Sequence, residues 1–372
     1  MIQEKELIRH LYIHVPFCIR KCGYCSFYSK VPNADEYASF IKTLLIELDY
    51  YKRNYELDCE TIYLGGGTPS LLDNKQLETI IRQIPRQNNC EITLEANPGD
   101  ISESKIESWE HLEINRISVG LQSMKDDELE FLGRRHNVAE SLNAIQLLQN
   151  SDIKNISFDL IYGLPGQNLA DVEFSMNQYL KLSPEHISTY CLSLADDCAL
   201  AEYKNKLPSD EIVSDMYFMI RSMLLSRDWL HYELSSFCME SRESRHNLAY
   251  WTQRKYLGCG PSAAGYVSGF RYQNPASYDK WLEDISSLKF FNNHENIDEV
   301  IREKEYIILA LRTTKGLDIA DFNKEFKIDF LEKYREILVK YQKLKLVEQH
   351  DGYIRLMPKG YFISNEILSN FV

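Results

Sequence analysis

Six strand-like stretches between residues 11 and 192 alternate with helix-like ones, and a β/α rhythm of that length admits few folds. Short β-rich runs at residues 11–17, 61–64, 91–95, 116–120, 156–161 and 186–192 alternate with stretches of helical spacing. The helices are predicted over 35–55, from 74, from 102, over 125–132 and 138–148, and over 169–182. In the first of them Tyr37, Phe40, Ile41, Leu44, Leu45 and Leu48 share one broad apolar face. Successive strands joined through helices run parallel, so the sheet either winds open or curls into a barrel.

The polar residues choose the barrel. Barrels gather functional groups at the C-terminal ends of their strands. Here those ends carry three cysteines, Gly65-Gly66-Gly67, Glu95 with Asn97-Pro98, Gln122, and Asp159 followed by Gly163-Leu164-Pro165-Gly166. A doubly wound sheet would concentrate them at one switch point. The expected core is therefore α/β, a partial TIM-like barrel of six β/α units.

Cys18, Cys22 and Cys25 follow the first strand within eight residues. Three thiolates spaced CxxxCxxC can hold three irons of a cubane cluster and leave the fourth open to another ligand. Zinc is the alternative on spacing alone, although no second ligand pair stands at regular spacing. A disulfide is disfavoured by nine cysteines, an odd number, without a secretory signal. Cys59, Cys90, Cys191, Cys198, Cys238 and Cys259 read as small core residues.

The formal charge of -13 over 372 residues argues against nucleic acid and anionic membrane as main partners. No stretch approaches the ~20 apolar residues of a spanning helix, and the N-terminus is too polar for a signal sequence. A cytoplasmic protein with reduced thiols and no stable membrane insertion is expected. The glycine run matches neither a dinucleotide fingerprint nor a P-loop, and by itself is as compatible with a tight turn as with a ligand cradle. Glu95 and Asp159 suit an amine or ribose hydroxyls, or equally a solvated loop.

Taken together, YIHVPFC from Tyr12, GGGTPS from Gly65, EANP from Glu95, RISVGLQS from Arg116, LGRRH from Leu132 and DLIYGLPGQ from Asp159 resemble one family. It is that of the radical S-adenosylmethionine (SAM) proteins related to oxygen-independent coproporphyrinogen III oxidase. The resemblance implies a 4Fe-4S cluster on Cys18, Cys22 and Cys25, with SAM chelating the open iron and being cleaved to a 5'-deoxyadenosyl radical. It implies SAM contacts at Tyr12, Gly66 and Glu95. Gly67, Thr68, Gln122, Arg134 and Asp159 match positions that touch a second SAM in the oxidase branch. Two further such positions carry different side chains here, Ser193 and Ala264.

The oxidase branch has a fourth cysteine where this chain has Phe27, and a longer segment than the eleven residues before Tyr12. Both differences resemble the haem-chaperone branch, as does HNLAYW from His246. That branch implies haem as a third cofactor with His246 taking part in its binding, and Tyr250 and Trp251 able to pack a porphyrin face. It also implies a haem-accepting protein and an electron donor as partners. Decarboxylation of coproporphyrinogen III is the alternative activity. Read without the family, His246 is a packed core histidine.

The rest is expected to follow as a helix over 210–226, a strand over 229–237, and a glycine-containing loop over 256–265 that meets the cofactor site. Residues 1–290 read as the barrel with its extension, and 291–372 as a small α+β domain. Helices over 298–312, 317–322 and 328–344 and a hairpin turning at Asp351-Gly352 give the latter a winged-helix-like order. Its near-neutral charge points to packing or partner docking, not DNA.

Overall fold

The computed structural model describes residues 4–371. The six units run β1 (Leu7–Val15), α1 (Ala34–Asn54), β2 (Glu56–Gly66), α2 (Asn74–Ile81), β3 (Arg86–Ala96), α3 (Glu103–His111) and β4 (Arg116–Gln122). They continue through α4 (Asp126–Phe131), α5 (Val138–Gln149), β5 (Asn155–Tyr162), α6 (Leu169–Lys181) and β6 (His186–Cys191) to α7 (Asp210–Leu225). Local chemistry sets the helix starts. Asn33 with Glu36, Asp73 with Gln76, Asn137 with Glu140 and Asn168 with Asp171 each form a capping box.

Strands β1 to β6 pair in chain order and in parallel. The alternation of side chains along each strand separates two environments. Leu11, Ile13, Ile62, Leu64, Ile92, Leu94, Ile117 and Val119 are buried with the apolar core. Their neighbours His10, Thr61, Glu91, Thr93, Arg116, Ser118, Ser157 and His186 are buried and polar. A polar inner face is stable only when its groups pair with one another. Several do: His10 Nδ1 lies 2.9 Å from Thr61 Oγ1, and Ser157 Oγ 2.7 Å from His186 Nδ1, whereas Thr93 Oγ1 and Arg116 Nε have no partner among the described residues.

The sheet extends at both ends. Residues 229–237, expected as one strand, form a hairpin of β7 (Leu230–Glu233) and β8 (Ser236–Cys238), with β8 antiparallel to β6. The Ser235 N–H donates to the Glu233 carboxylate at 3.2 Å and helps make the turn. After α8 (Arg245–Trp251), the segment expected as a loop is instead β9 (Tyr256–Cys259) turning into β10 (Ala264–Val267). Strand β9 runs parallel to β1 on its free side. Its glycines permit close packing: a Cβ on Gly258 would strike the Ala264 carbonyl, and one on Gly260 the His14 carbonyl. Strand β11 (Phe270–Gln273), helix α9 (Tyr278–Ser286) and strand β12 (His294–Asn296) complete this side.

The C-terminal part opens with α10 (Glu299–Leu311). The helix expected from residue 317 begins as a short strand, β13 (Leu317–Asp318), before α11 (Ile319–Phe326), because Asp318 caps the Asp321 N–H at 3.0 Å. The long helix expected over 328–344 breaks into α12 (Phe330–Lys333) and α13 (Arg335–Lys343) at Tyr334. The Tyr334 hydroxyl there reaches Glu303 at 2.7 Å. Strands β14 (Val347–His350) and β15 (Tyr353–Leu356) form the hairpin, with β13 on its other edge. Helices α14 (Pro358–Phe362) and α15 (Ser364–Leu368) close the chain. Among the described residues no helix is long and apolar enough to cross a membrane.

Glu47 of α1 ties distant pieces together. Its fully buried carboxylate accepts from Gly260 N at 2.9 Å, Asn274 Nδ2 at 2.7 Å, Trp281 Nε1 at 3.1 Å and the Tyr51 hydroxyl at 3.1 Å. Burial pushes its pKa up to about 7, with these bonds opposing the shift. The native state thus holds the proton more tightly than the unfolded chain, and this group's stabilisation weakens as pH rises from about 4.5 to about 7. The denaturation midpoint of wild type should fall over that window relative to Glu47→Gln. Glu47→Ala should cost about 3 kcal/mol by leaving buried donors unpaired.

Candidate functional site

The cysteine loop leaves β1 and is fastened at several points. Cys18 N–H donates to Lys30 O at 3.0 Å, Lys30 N–H to Pro16 O at 2.7 Å, and Gly23 N–H to Leu132 O at 3.3 Å. Arg20 reaches the Gly133 carbonyl at 3.0 Å. Cys18 Sγ lies 3.4 Å from Thr68 Oγ1, and Arg134 Nη1 lies 3.4 Å from both Cys22 Sγ and the Tyr24 hydroxyl. All three thiols line one cavity of about 240 Å³ with Gly67, Thr68 and Asn97. Burial raises the Cys25 thiol pKa, and the neighbouring Cys22 and Cys18 add to that shift.

The donor set fits an iron–sulfur cluster. Among the described residues no three His, Cys, Asp or Glu side chains converge as ligands of one metal ion would. Three soft thiols spread around a cavity, with a guanidinium beside one of them, match the separated irons and negative charge of a cubane.

A second cavity of about 390 Å³ occupies the barrel mouth and shares Tyr24, Cys25, Gly67, Thr68, Asn97 and Arg134 with the first. Gly66, Glu95, Gln122 and Asp159 also line it, so the structure brings together every expected cluster and SAM residue except Tyr12. Tyr12 lies below, outside the lining of both cavities, with its hydroxyl 3.0 Å from His14 Nδ1. Gly66 adopts φ +107°, and a Cβ there would stand 2.5 Å from the His14 ring. Its N–H donates to Glu95 Oε2 at 3.1 Å, while the Tyr63 hydroxyl donates to Oε1 at 2.8 Å. Tyr63 escaped sequence reading; the alternation Thr61, Tyr63, Gly65 on an inward face was its only signal.

Burial raises the Glu95 pKa, opposed by those two hydrogen bonds. Asp159 is pushed up to about 7, first by burial and then by the Glu95 charge, with Arg116 opposing. A cationic ligand at this mouth would oppose both upward shifts and favour the charged carboxylates. Gln122 adopts φ +70°, and its buried Oε1 has no partner among the described residues. Arg134 Nη2 donates to Gly120 O at 2.8 Å and also to Asn97 Oδ1. Cys191, expected in the core, is exposed at the rim of this mouth. Cys198 is only half-buried.

His246 is elsewhere. Helix α8 sits against the lower end of the barrel, where the Glu91 carboxylate accepts from the N–H groups of His246 at 3.1 Å and Arg245 at 3.3 Å. The His246 ring is 1% exposed, with Nδ1 2.7 Å from Thr61 Oγ1 and Nε2 2.8 Å from the Tyr250 hydroxyl. Burial lowers its pKa to about 3, so the imidazole is neutral. Both nitrogens are engaged, and a bond to haem iron would require breaking one of these contacts. Trp251 turns toward Arg312, whose guanidinium lies 5.9 Å from its ring centroid.

A partial barrel that presents three cysteines beside a carboxylate-lined mouth is the architecture of radical SAM proteins. Residues 12–178 match the Radical SAM superfamily and residues 302–363 the HemN C-terminal domain. The fold is that of the Escherichia coli coproporphyrinogen III oxidase HemN, with a TM-score of 0.86 over 99% of this chain and 90% of that one at 18% identity. Similarity in sequence lies with proteins named heme chaperone HemW. The Lactococcus lactis protein is 32% identical over 97% of this chain and 96% of its own, and the Bacillus subtilis protein 30% identical over 98% and 99%. The chain belongs to the HemW family of radical SAM proteins.

Gly66→Ala should lower the thermal midpoint and loosen the Glu95 contact, since a left-handed backbone and the His14 ring both exclude a side chain. Calorimetry checks the first effect and SAM titration the second. Weakened SAM binding with an unchanged midpoint would contradict the strain argument.

Proposed function

We propose that the protein is a cytoplasmic haem chaperone that binds a 4Fe-4S cluster, SAM and haem and passes haem to an acceptor protein. The observation that carries this reading is near full-length similarity to HemW chaperones, against 18% identity to the oxidase whose fold it shares. Cys18, Cys22 and Cys25 hold the cluster, which with SAM supplies reductive sulfonium cleavage when an electron donor reduces it. Gly66, Gly67 and Thr68 bring backbone and hydroxyl to the ligand, Glu95 and Asp159 receive its positive groups, and Gln122 and Arg134 close the wall. Tyr12 supports Tyr63, with ring centroids 6.1 Å apart, and acts on SAM from below. His246 takes part in haem binding through Tyr250.

Oxidative decarboxylation of coproporphyrinogen III is the second reading, favoured by the shared oxidase fold. Anaerobic reconstitution separates the two. Iron–sulfur absorbance should appear in wild type and be lost in Cys22→Ser, haem should bind one per chain, and coproporphyrinogen III should remain intact in the presence of SAM and a reductant. Decarboxylation would establish the enzyme instead, and absence of haem binding would overturn the chaperone.

A further inference from the structure

A third cavity, of about 380 Å³, opens between the end of α8, the β9–β11 edge and α10. It lies near the start of β1: Tyr256 of its wall pairs with His10, whereas the cysteine loop begins beyond Val15. At ~3.3 Å per residue the two levels differ by roughly 17 Å along the strand.

The lining is chemically specific. Tyr250, Tyr256 and Tyr266 present aromatic surface, completed by Ile308 and Leu309. The Tyr250 and Tyr256 rings meet at 4.6 Å and 69°. Arg271 is engaged by Glu295 and Glu305, each at 2.6 Å. Arg254, also in the lining, has no ion pair among the described residues. In a chain of charge -13, an unpaired guanidinium at an aromatic pocket selects a flat apolar molecule with a carboxylate edge. Tyr256 and Tyr266 make no side-chain hydrogen bond among the described residues, and a phenol oxygen is an established type of ligand for haem iron.

We infer that this cavity receives the porphyrin, with its carboxylate edge on Arg254 and a tyrosine oxygen, not His246, facing the iron. The inference rests on the chaperone reading and gives it a location. Coordination would release the phenolic proton to solvent and form an oxygen–ferric iron bond without a change of redox state. His246 is a positioning residue: bonded to Thr61 behind and Tyr250 in front, it fixes the inner aromatic wall. Haem at this end and SAM at the barrel mouth would occupy the protein together.

The test is ferric haem titration of the full-length protein, read by Soret absorbance and electron paramagnetic resonance, with SAM binding measured on the same samples by calorimetry. Arg254→Glu, and Tyr256→Phe with Tyr266→Phe, should each weaken haem binding about tenfold or more while leaving SAM affinity unchanged. The tyrosine variant should also lose the wild-type iron signature, whereas His246→Gln should retain it with reduced affinity. Circular dichroism and iron content establish that each variant is folded. Wild-type haem binding with unaffected Arg254 and tyrosine variants overturns this location alone, as does competition between haem and SAM. No haem binding by wild type overturns the chaperone reading and the location with it.

Discussion

The structure depends on satisfying a polar interior. Parallel strands buried on both faces ordinarily carry apolar residues throughout, because buried polar groups cost free energy unless paired. Here the inward faces of β1 to β6 carry histidines, hydroxyls and carboxylates, and the fold supplies partners at two levels. At the mouth, Tyr63 and the Gly66 backbone hold Glu95. At the lower end, α8 presents its backbone N–H groups to Glu91 and its histidine to Thr61. The same pairing that makes the barrel stable leaves Asp159, Gln122 and Arg134 around an open cavity.

Arg134 connects the loop to the barrel. It reaches the Cys22 sulfur and Tyr24 from one nitrogen and the Gly120 carbonyl and Asn97 from the other. A planar, permanently charged fork can serve several acceptors at once, which a lysine cannot do in this geometry. The cysteine loop is thus registered against β3 and β4 as well as against the strand that delivers it.

The barrel was largely legible in the sequence because strand propensity, helical spacing and strand-end polarity all agreed. Residues that depend on long-range burial were not. Glycines at Gly258 and Gly260 read as a loop, whereas they allow β9 to press against β10 and β1. Residues 229–237 read as one strand by resemblance, which hid the turn made by Glu233. His246 belongs to a recognisable pattern, but its partner Thr61 is 185 residues away, and nothing local reveals that both ring nitrogens are occupied. Glu95 and Gln122, which line the mouth, were legible from their place at strand ends; Tyr63, which fixes Glu95, stands inside a strand and showed only in the alternation of its inward face.

The pairing of β1 with β9 has a consequence for how the chain is made. Strand β1 is synthesised well before one of its two hydrogen-bonded neighbours, which follows about 245 residues later. At ribosomal rates that interval is on the order of 10–50 s. For that time one edge of the strand that carries the cysteine loop has open backbone donors and acceptors, a template for mispairing. That edge closes only when β9 pairs along His10 to Ile13.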